Sequence, residues 1–271
     1  MYVFLCEDSL DGIFTAIYDA WASPYGHKNI YILAKEPQNI ELFCEYISVT
    51  SDSEKSRKVS DTIKRRCGSE VWFSLCEAVM ADETYRKRDN RISTATTFSI
   101  TKADALYRTL LYAFSMEHPD RILTFLGNPH VLYLFELSRS VHAEAHHLLG
   151  FARFRELKNK ILFCKIHPKN YVLPILGDHF SDRLPEENFI IYDENRRLAL
   201  VHRAKKCDFF ITDASTINQE MLKNYSADEA LYQQLWCGFF ESITIDARKN
   251  SALQNQNIPK RFQKDTVEFR T

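Results

Sequence analysis

The chain has 271 residues, 45% of them apolar and 26% charged, an ordinary globular composition long enough for one large or two small domains. A net charge of -1 excludes a global field for nucleic acid, so binding of that kind needs a local patch. Seven cysteines, an odd number with no CxxC pair, give no zinc-finger or cluster spacing and argue against a secreted disulfide framework, and the seven glycines form no GxGxxG or GxxxxGK phosphate loop.

The first residues, MYVFLCEDSLDG, lack a basic leader and a cleavage site, and no apolar run long enough to span a bilayer follows. The expectation is a soluble cytoplasmic protein with no membrane partner. Residues 2–6 read as a strand, Ser9 as a helix cap, and 10–21 as a helix with Ile13, Phe14, Ile17, Tyr18 and Trp21 on one face. A second strand over 29–34 completes a βαβ unit with parallel strands. Glu7, Asp8 and Asp11 cluster at its first turn, where they either favour the helix N-terminus or hold a metal. A third strand is expected over 46–50. Helices follow after Ser53, with Val59, Ile63 and Cys67 on one face, and over 71–80 after a turn at Gly68. Residues 84–97 read as a polar linker in which Arg86, Lys87, Arg88 and Arg91 form either a solvated loop or a phosphate-contacting one. Helical spacing returns over 104–116 and, after Pro119, around Ile122.

Asn128-Pro129 is a strong helix start, with Asn as cap and Pro at the first helical position. The helix over 129–149 has an apolar arc through Leu134, Val141, Ala145 and Leu149. His142 falls inside that arc, Arg139 and His146 sit at one rim, and Glu144 sits at the other. Gly150 is expected to stop the helix. Period-two patterning then gives strands over 151–157 and 161–166 joined by Lys158-Asn159-Lys160. A helix over 171–184, strands over 189–192, 198–203 and 207–212, and an amphipathic helix over 228–245 complete a ββαβββα pattern.

The fold class is therefore α+β: an N-terminal strand–helix–strand plus helices, then an antiparallel sheet covered by helices. The domain reading is an α/β and helical region over 1–127, a central helix with its sheet domain over 128–246, and a polar arm over 247–271.

Two constellations could carry chemistry. His142-x-x-x-His146 has a spacing that lets two imidazoles share a metal, but Glu144 lies too far round the helix to reach the same ion. A third ligand would have to be His167 or His179. The second constellation is charge: residues 151–206 carry twelve basic side chains against seven acidic ones, a local excess of +5. Arg153 and Arg155 share a strand face in this reading, and arginines beside His146 and His179 would suit phosphates. No serine sits in a nucleophile elbow, and no cysteine neighbours an obvious base.

Several spaced motifs occur in order: Glu144-x-His146, Gly150-Phe151-x-Arg153-Phe154, His179-Phe180-x-x-Arg183, Ile190-x-x-Asp193 with Arg197, Arg248-x-Asn250 and Pro259-Lys260-Arg261. Together they resemble a bacterial family labelled "probable DNA metabolism protein". The sequence departs from it in having His142 and His147 where basic residues are more usual. The resemblance implies DNA as a partner, together with a radical SAM DNA repair protein encoded alongside. It also implies a relation to domains fused to uracil-DNA-glycosylase-like proteins. It implies a pathway but no reaction and no cofactor. The expected function is a DNA repair accessory protein whose nucleic-acid contacts are Arg139, Arg153, Arg155, Arg183, Arg197, Lys260 and Arg261. The alternative is an enzyme in its own right, with Glu144, His146 and His179 as acid–base groups or part of a metal site.

Overall fold

The structure is a computed structural model that describes residues 1–36, 41–85, 99–216 and 220–269. It divides into two compact units, Met1–His142 and Ala143–Thr271. The basic side chains Arg86, Lys87, Arg88 and Arg91 lie outside the described residues.

In the first unit, β1 (Tyr2–Leu5) is the middle strand of a parallel sheet, flanked by β2 (Ile30–Leu33) and β3 (Glu45–Ser48). Successive residues Val3 and Phe4 are both buried, as expected for a parallel strand covered on two faces. α1 (Leu10–Ala22) returns the chain from β1 to β2, and the Ser9 hydroxyl accepts the Gly12 N–H at 3.0 Å as its cap. A Cβ on Gly12 would stand 2.4 Å from the Glu7 carbonyl oxygen, so glycine is what allows the turn to close this tightly. α2 (Ser53–Cys67), α3 (Ser69–Met80) and α4 (Lys102–Ser115) complete this unit, with the first part of α5 (Pro129–Phe151). Asp8 is a counter-ion: the buried Lys102 ammonium lies 2.6 Å from it and also donates to the carbonyls of Val79 and Ala81. Glu7 accepts from the hydroxyls of Ser9 and Ser51.

The second unit carries a five-stranded sheet, ordered β4 (Arg155–Glu156), β5 (Leu162–Ile166), β6 (Phe189–Asp193), β7 (Leu198–His202), β8 (Phe209–Asp213). It is antiparallel at every pairing except one. β5 and β6 run parallel, because α6 (Leu173–Arg183) carries the chain back between them, and the sheet is mixed. Gly177 brings α6 close to the sheet, since a Cβ there would meet Leu200 Cδ1 at 2.5 Å. The opposite face packs Leu157, Phe163, Ile190, Ala199 and Leu222 into a core.

Three local expectations need correction. Gly150 does not stop α5, which continues to Phe151. The strand expected over 151–157 shrinks to two residues: α5 runs on to Phe151, and the Arg153 guanidinium donates to the carbonyls of Gly150 (2.9 Å) and Ala152 (3.2 Å) at the helix end. The helix end is thus satisfied by a side chain where a strand ladder was expected. Third, α7 (Glu229–Ser242) does not lay its apolar face on the sheet: Leu231, Leu235, Phe239 and the following Ile243 are each more than half exposed. The arm after it forms α8 (Ser251–Asn257) and α9 (Lys260–Gln263), and Phe262 and Thr266 are buried.

Asp104 in α4 is 4% exposed, and its Oδ1 has no hydrogen-bond partner. Arg108 Nε lies 3.5 Å from the other oxygen. Burial pushes this carboxyl up to about 6, against the pull of Arg108. The folded state therefore holds the Asp104 proton more tightly than the unfolded chain, and the stabilisation present at low pH is lost as pH rises through the window from about 4 to about 6. Relative to wild type, Asp104→Asn should remove a fall on the order of 3 kcal/mol across that window. Denaturant melts of both proteins at half-unit pH steps check this, and parallel curves would contradict it.

Candidate functional site

β5 and β6 are parallel, so their carboxyl ends open at one edge of the sheet, where ligands of parallel strands usually bind. Two segments leave that edge, the 167–170 loop after β5 and the 194–197 turn after β6. Asp193, fully buried at the end of β6, builds the turn. It accepts from the backbone N–H of Asn195 (3.0 Å) and Arg196 (3.2 Å) and from Arg196 Nη1 (3.2 Å). Burial pushes its carboxyl upward while Arg196 opposes that. Asn195 Nδ2 donates to the Pro168 carbonyl at 2.8 Å, and the Arg196 guanidinium donates to the carbonyls of Pro168 and Lys169. Turn and loop are thereby stitched together.

Glu144 reaches the same loop from α5. It is 2% exposed and accepts the N–H of Lys169 at 3.0 Å and of Asn170 at 2.7 Å, one on each oxygen. Arg261 Nη1, from α9, lies 3.2 Å from Oε1. With both oxygens engaged, Glu144 fixes loop, helix and arm to one another. Beside it, His167 sits between two carboxylates: Nδ1 is 2.7 Å from Asp265 Oδ2, and Nε2 meets Glu194. Lys165 stands 2.5 Å from Glu194 and, aided by His167, holds that carboxyl below the usual range.

The expected site residues divide. Arg153 is spent inside the unit. Its guanidinium pairs with Glu268 at 2.6 Å, and Trp236 Nε1 donates to the same carboxylate. Burial alone would raise the Glu268 carboxyl, but Arg153 brings it below its ordinary value. Arg155 is half-buried and turns toward the Tyr225 hydroxyl and the Asp265 carbonyl, both at 3.4 Å. Arg197 and Lys260 are exposed, and Arg261 borders the Glu144 pair. Arg183 is also exposed but ends α6, whose following loop bonds to the β7–β8 turn through Lys205 N–H and the Pro185 carbonyl. That is the opposite end of β6 from Arg197, about 15 Å of strand away. Arg139 is exposed and belongs to the first unit.

His146 and His179 are both exposed, whereas Glu144 is buried against the 167–170 loop. The His179 ring stands at 87° to the Phe180 ring, with centroids 5.1 Å apart. The helical wheel misplaces His142, which is 73% exposed and 3.4 Å from Glu77. His147, by contrast, packs half-buried against the rings of Phe151 and Phe262. Among the described residues no group of three or more His, Cys, Asp or Glu is arranged to hold a metal. Among the described residues no helix is long and apolar enough to cross a membrane. Sequence reasoning missed Lys165, Glu194, Arg196, Asp265 and Glu268. Only the dense run Asp193-Glu194-Asn195-Arg196-Arg197 offered a signal for any of them.

The motif residues that converge on this edge lie within a family match. A family model described as a domain of unknown function, DUF4130, matches residues 101–268, and the chain belongs to that family. No curated protein matches the chain.

Removing the Glu144 side chain takes an acceptor from two backbone N–H groups, that of Asn170 buried and that of Lys169 partly so, and from one arginine. Glu144→Ala should lower stability by about 3 kcal/mol, while His146→Ala should change it by less than about 0.5 kcal/mol. Urea melts of the two variants separate these roles, and equal losses would contradict them.

Proposed function

We propose that this protein is an accessory factor in DNA metabolism that binds nucleic acid at the carboxyl edge of β5 and β6 and works beside a radical SAM repair enzyme. The observation that carries the nucleic-acid part is the arrangement of cations at that edge. Arg196 and Arg261 hold the loop and arm in place, which leaves the exposed Arg197 and Lys260 displayed on a fixed backbone. Arginine and lysine on a rigid support suit phosphate oxygens. In this reading the contacts are Arg197 and Lys260, while Arg153 holds Glu268 and Arg155 leans on Tyr225 and the Asp265 carbonyl. The resemblance to the "probable DNA metabolism protein" family, whose motifs include Asp193, Arg197, Lys260 and Arg261, supports the reading of DNA and a radical SAM enzyme as partners. The apolar stripe of α7 supports a protein partner, since a line of large exposed apolar side chains is costly unless covered.

A second reading is favoured by one observation. His167, bracketed by Asp265 and Glu194, is an acid–base group at the same edge. Mass spectrometry of oligonucleotides incubated with the protein would support it by revealing a product that His167→Ala fails to make.

For the binding reading, the affinity for duplex DNA should fall steeply with salt. Arg197→Ala combined with Lys260→Ala should weaken it and reduce the log–log salt slope by about 2. Arg183→Ala, at the far end of the sheet, should leave the slope unchanged. Fluorescence anisotropy across a salt series reads both. A double variant that binds like wild type would remove this edge from the interface.

A further inference from the structure

The first unit contains a cavity of about 380 Å³ among α1, α2 and α4, lined by Ile17, Tyr18, Trp21, Val59, Ile63 and Phe114, with Lys58 and Arg66 at its margin. That volume falls within the range of small-molecule sites. Its walls are apolar and aromatic, and no lining residue is acidic. Trp21 remains 41% exposed although it is braced by rings on several sides, 5.0 Å from His27 and 5.6 Å from Phe114 between centroids. The cations are also held. Lys58 Nζ lies 5.7 Å from the Tyr18 ring centre, and the Arg66 guanidinium lies 4.4 Å from that of Phe114 and donates to its carbonyl. α2 as a whole carries six basic residues against Glu54 and Asp61; Lys55 is paired with Asp19, and the charged residues of the lining, Lys58 and Arg66, are both basic.

We infer that this cavity binds a small amphiphilic anion, its apolar body against Trp21, Tyr18 and Phe114 and its carboxylate between Lys58 and Arg66. The wall chemistry selects the body. A nucleobase would bring ring nitrogens and carbonyls that need partners, and Thr62, a polar side chain in the lining, already donates to the Lys58 carbonyl at 2.7 Å. An alkyl chain makes no such demand and gains from every apolar wall atom it covers. The margin chemistry selects the head, because a cationic head would meet two like charges. Both cations are exposed, so an anion can meet them where Tyr18 and Phe114 hold them, without breaking a buried ion pair.

Decanoate, kept below its micelle-forming concentration, is the probe. Isothermal titration calorimetry on the full chain should show saturable binding near one equivalent, with decyltrimethylammonium at least about tenfold weaker. Lys58→Gln with Arg66→Gln should bring the two probes within about twofold of each other. Val59→Trp, which fills the cavity, should abolish decanoate binding while keeping the circular dichroism spectrum of the wild type. Should that variant not fold, Thr62→Leu replaces it, with weaker decanoate binding expected. The inference is overturned by equal affinity for the two probes, by decanoate binding that survives a folded cavity-filling variant, or by no saturable binding to wild type. Binding of thymidine monophosphate in place of decanoate would overturn it as well, by making the cavity a nucleotide site. None of these outcomes touches the DNA-binding edge, so the two proposals stand or fall separately.

Discussion

A single buried carboxylate fixes the geometry of the second unit. Glu144 enters from α5, at 2% exposure, and accepts from two consecutive backbone N–H groups of the 167–170 loop and from Arg261 of the arm. An ionised carboxyl in such a place would be expensive if unpaired. Two charge-assisted hydrogen bonds from N–H groups and an arginine offset that cost, and they also choose the positions of three segments far apart in sequence. The loop cannot shift without stranding Glu144, and the arm cannot leave without exposing Phe262 and freeing Arg261.

The same logic extends along the edge. Asp193 organises the 194–197 turn through backbone N–H groups, and Arg196 carries that order to the carbonyls of Pro168 and Lys169. The chain Lys165–Glu194–His167–Asp265 then connects β5, the turn and the arm. Part of the charge that looks like a surplus in the sequence is spent on structural pairs. The twelve basic residues over 151–206 include Arg153, Lys160, Lys165, Arg196 and Lys205, each paired with a carboxylate. A local excess of basic residues therefore says little about binding until the pairs are subtracted. Surface pairs such as Lys205–Glu186, at 3.9 Å and largely exposed, add little stability of their own.

α7 and the cavity of the first unit pose a related problem with apolar surface. α7 is held to its unit by polar and edge contacts, including Glu229 accepting the Glu156 N–H at 2.8 Å and Trp236 donating to Glu268. Its line of Leu231, Leu235, Phe239 and Ile243 is left to solvent. The braced ring of Trp21 shows the same imbalance on a smaller scale. Trp21 packs one side of its ring on His27, Tyr107 and Phe114 and leaves 41% exposed beside the cavity.

The sequence by itself determined the order of most elements. Ser9, Asp52 and Thr101 cap α1, α2 and α4, the Asn128 side-chain oxygen accepts from the N–H groups that open α5, and period-two runs mark β5 to β8. These are local signals, set by backbone hydrogen bonding and side-chain spacing within one turn or strand. Tertiary structure decided what those signals could not reach. The apolar wheel put His142 inward and Glu144 at a rim, because it scores apolarity alone, whereas Glu144 is buried by partners 25 and 26 residues away and by Arg261. The period of α7 announced an apolar face but not what would cover it. The run after Gly150 alternated like a strand, yet Arg153 caps the helix instead. His167 and Asp265 lie 98 residues apart, and only the fold, by bringing the arm back to the edge of β5, makes them neighbours.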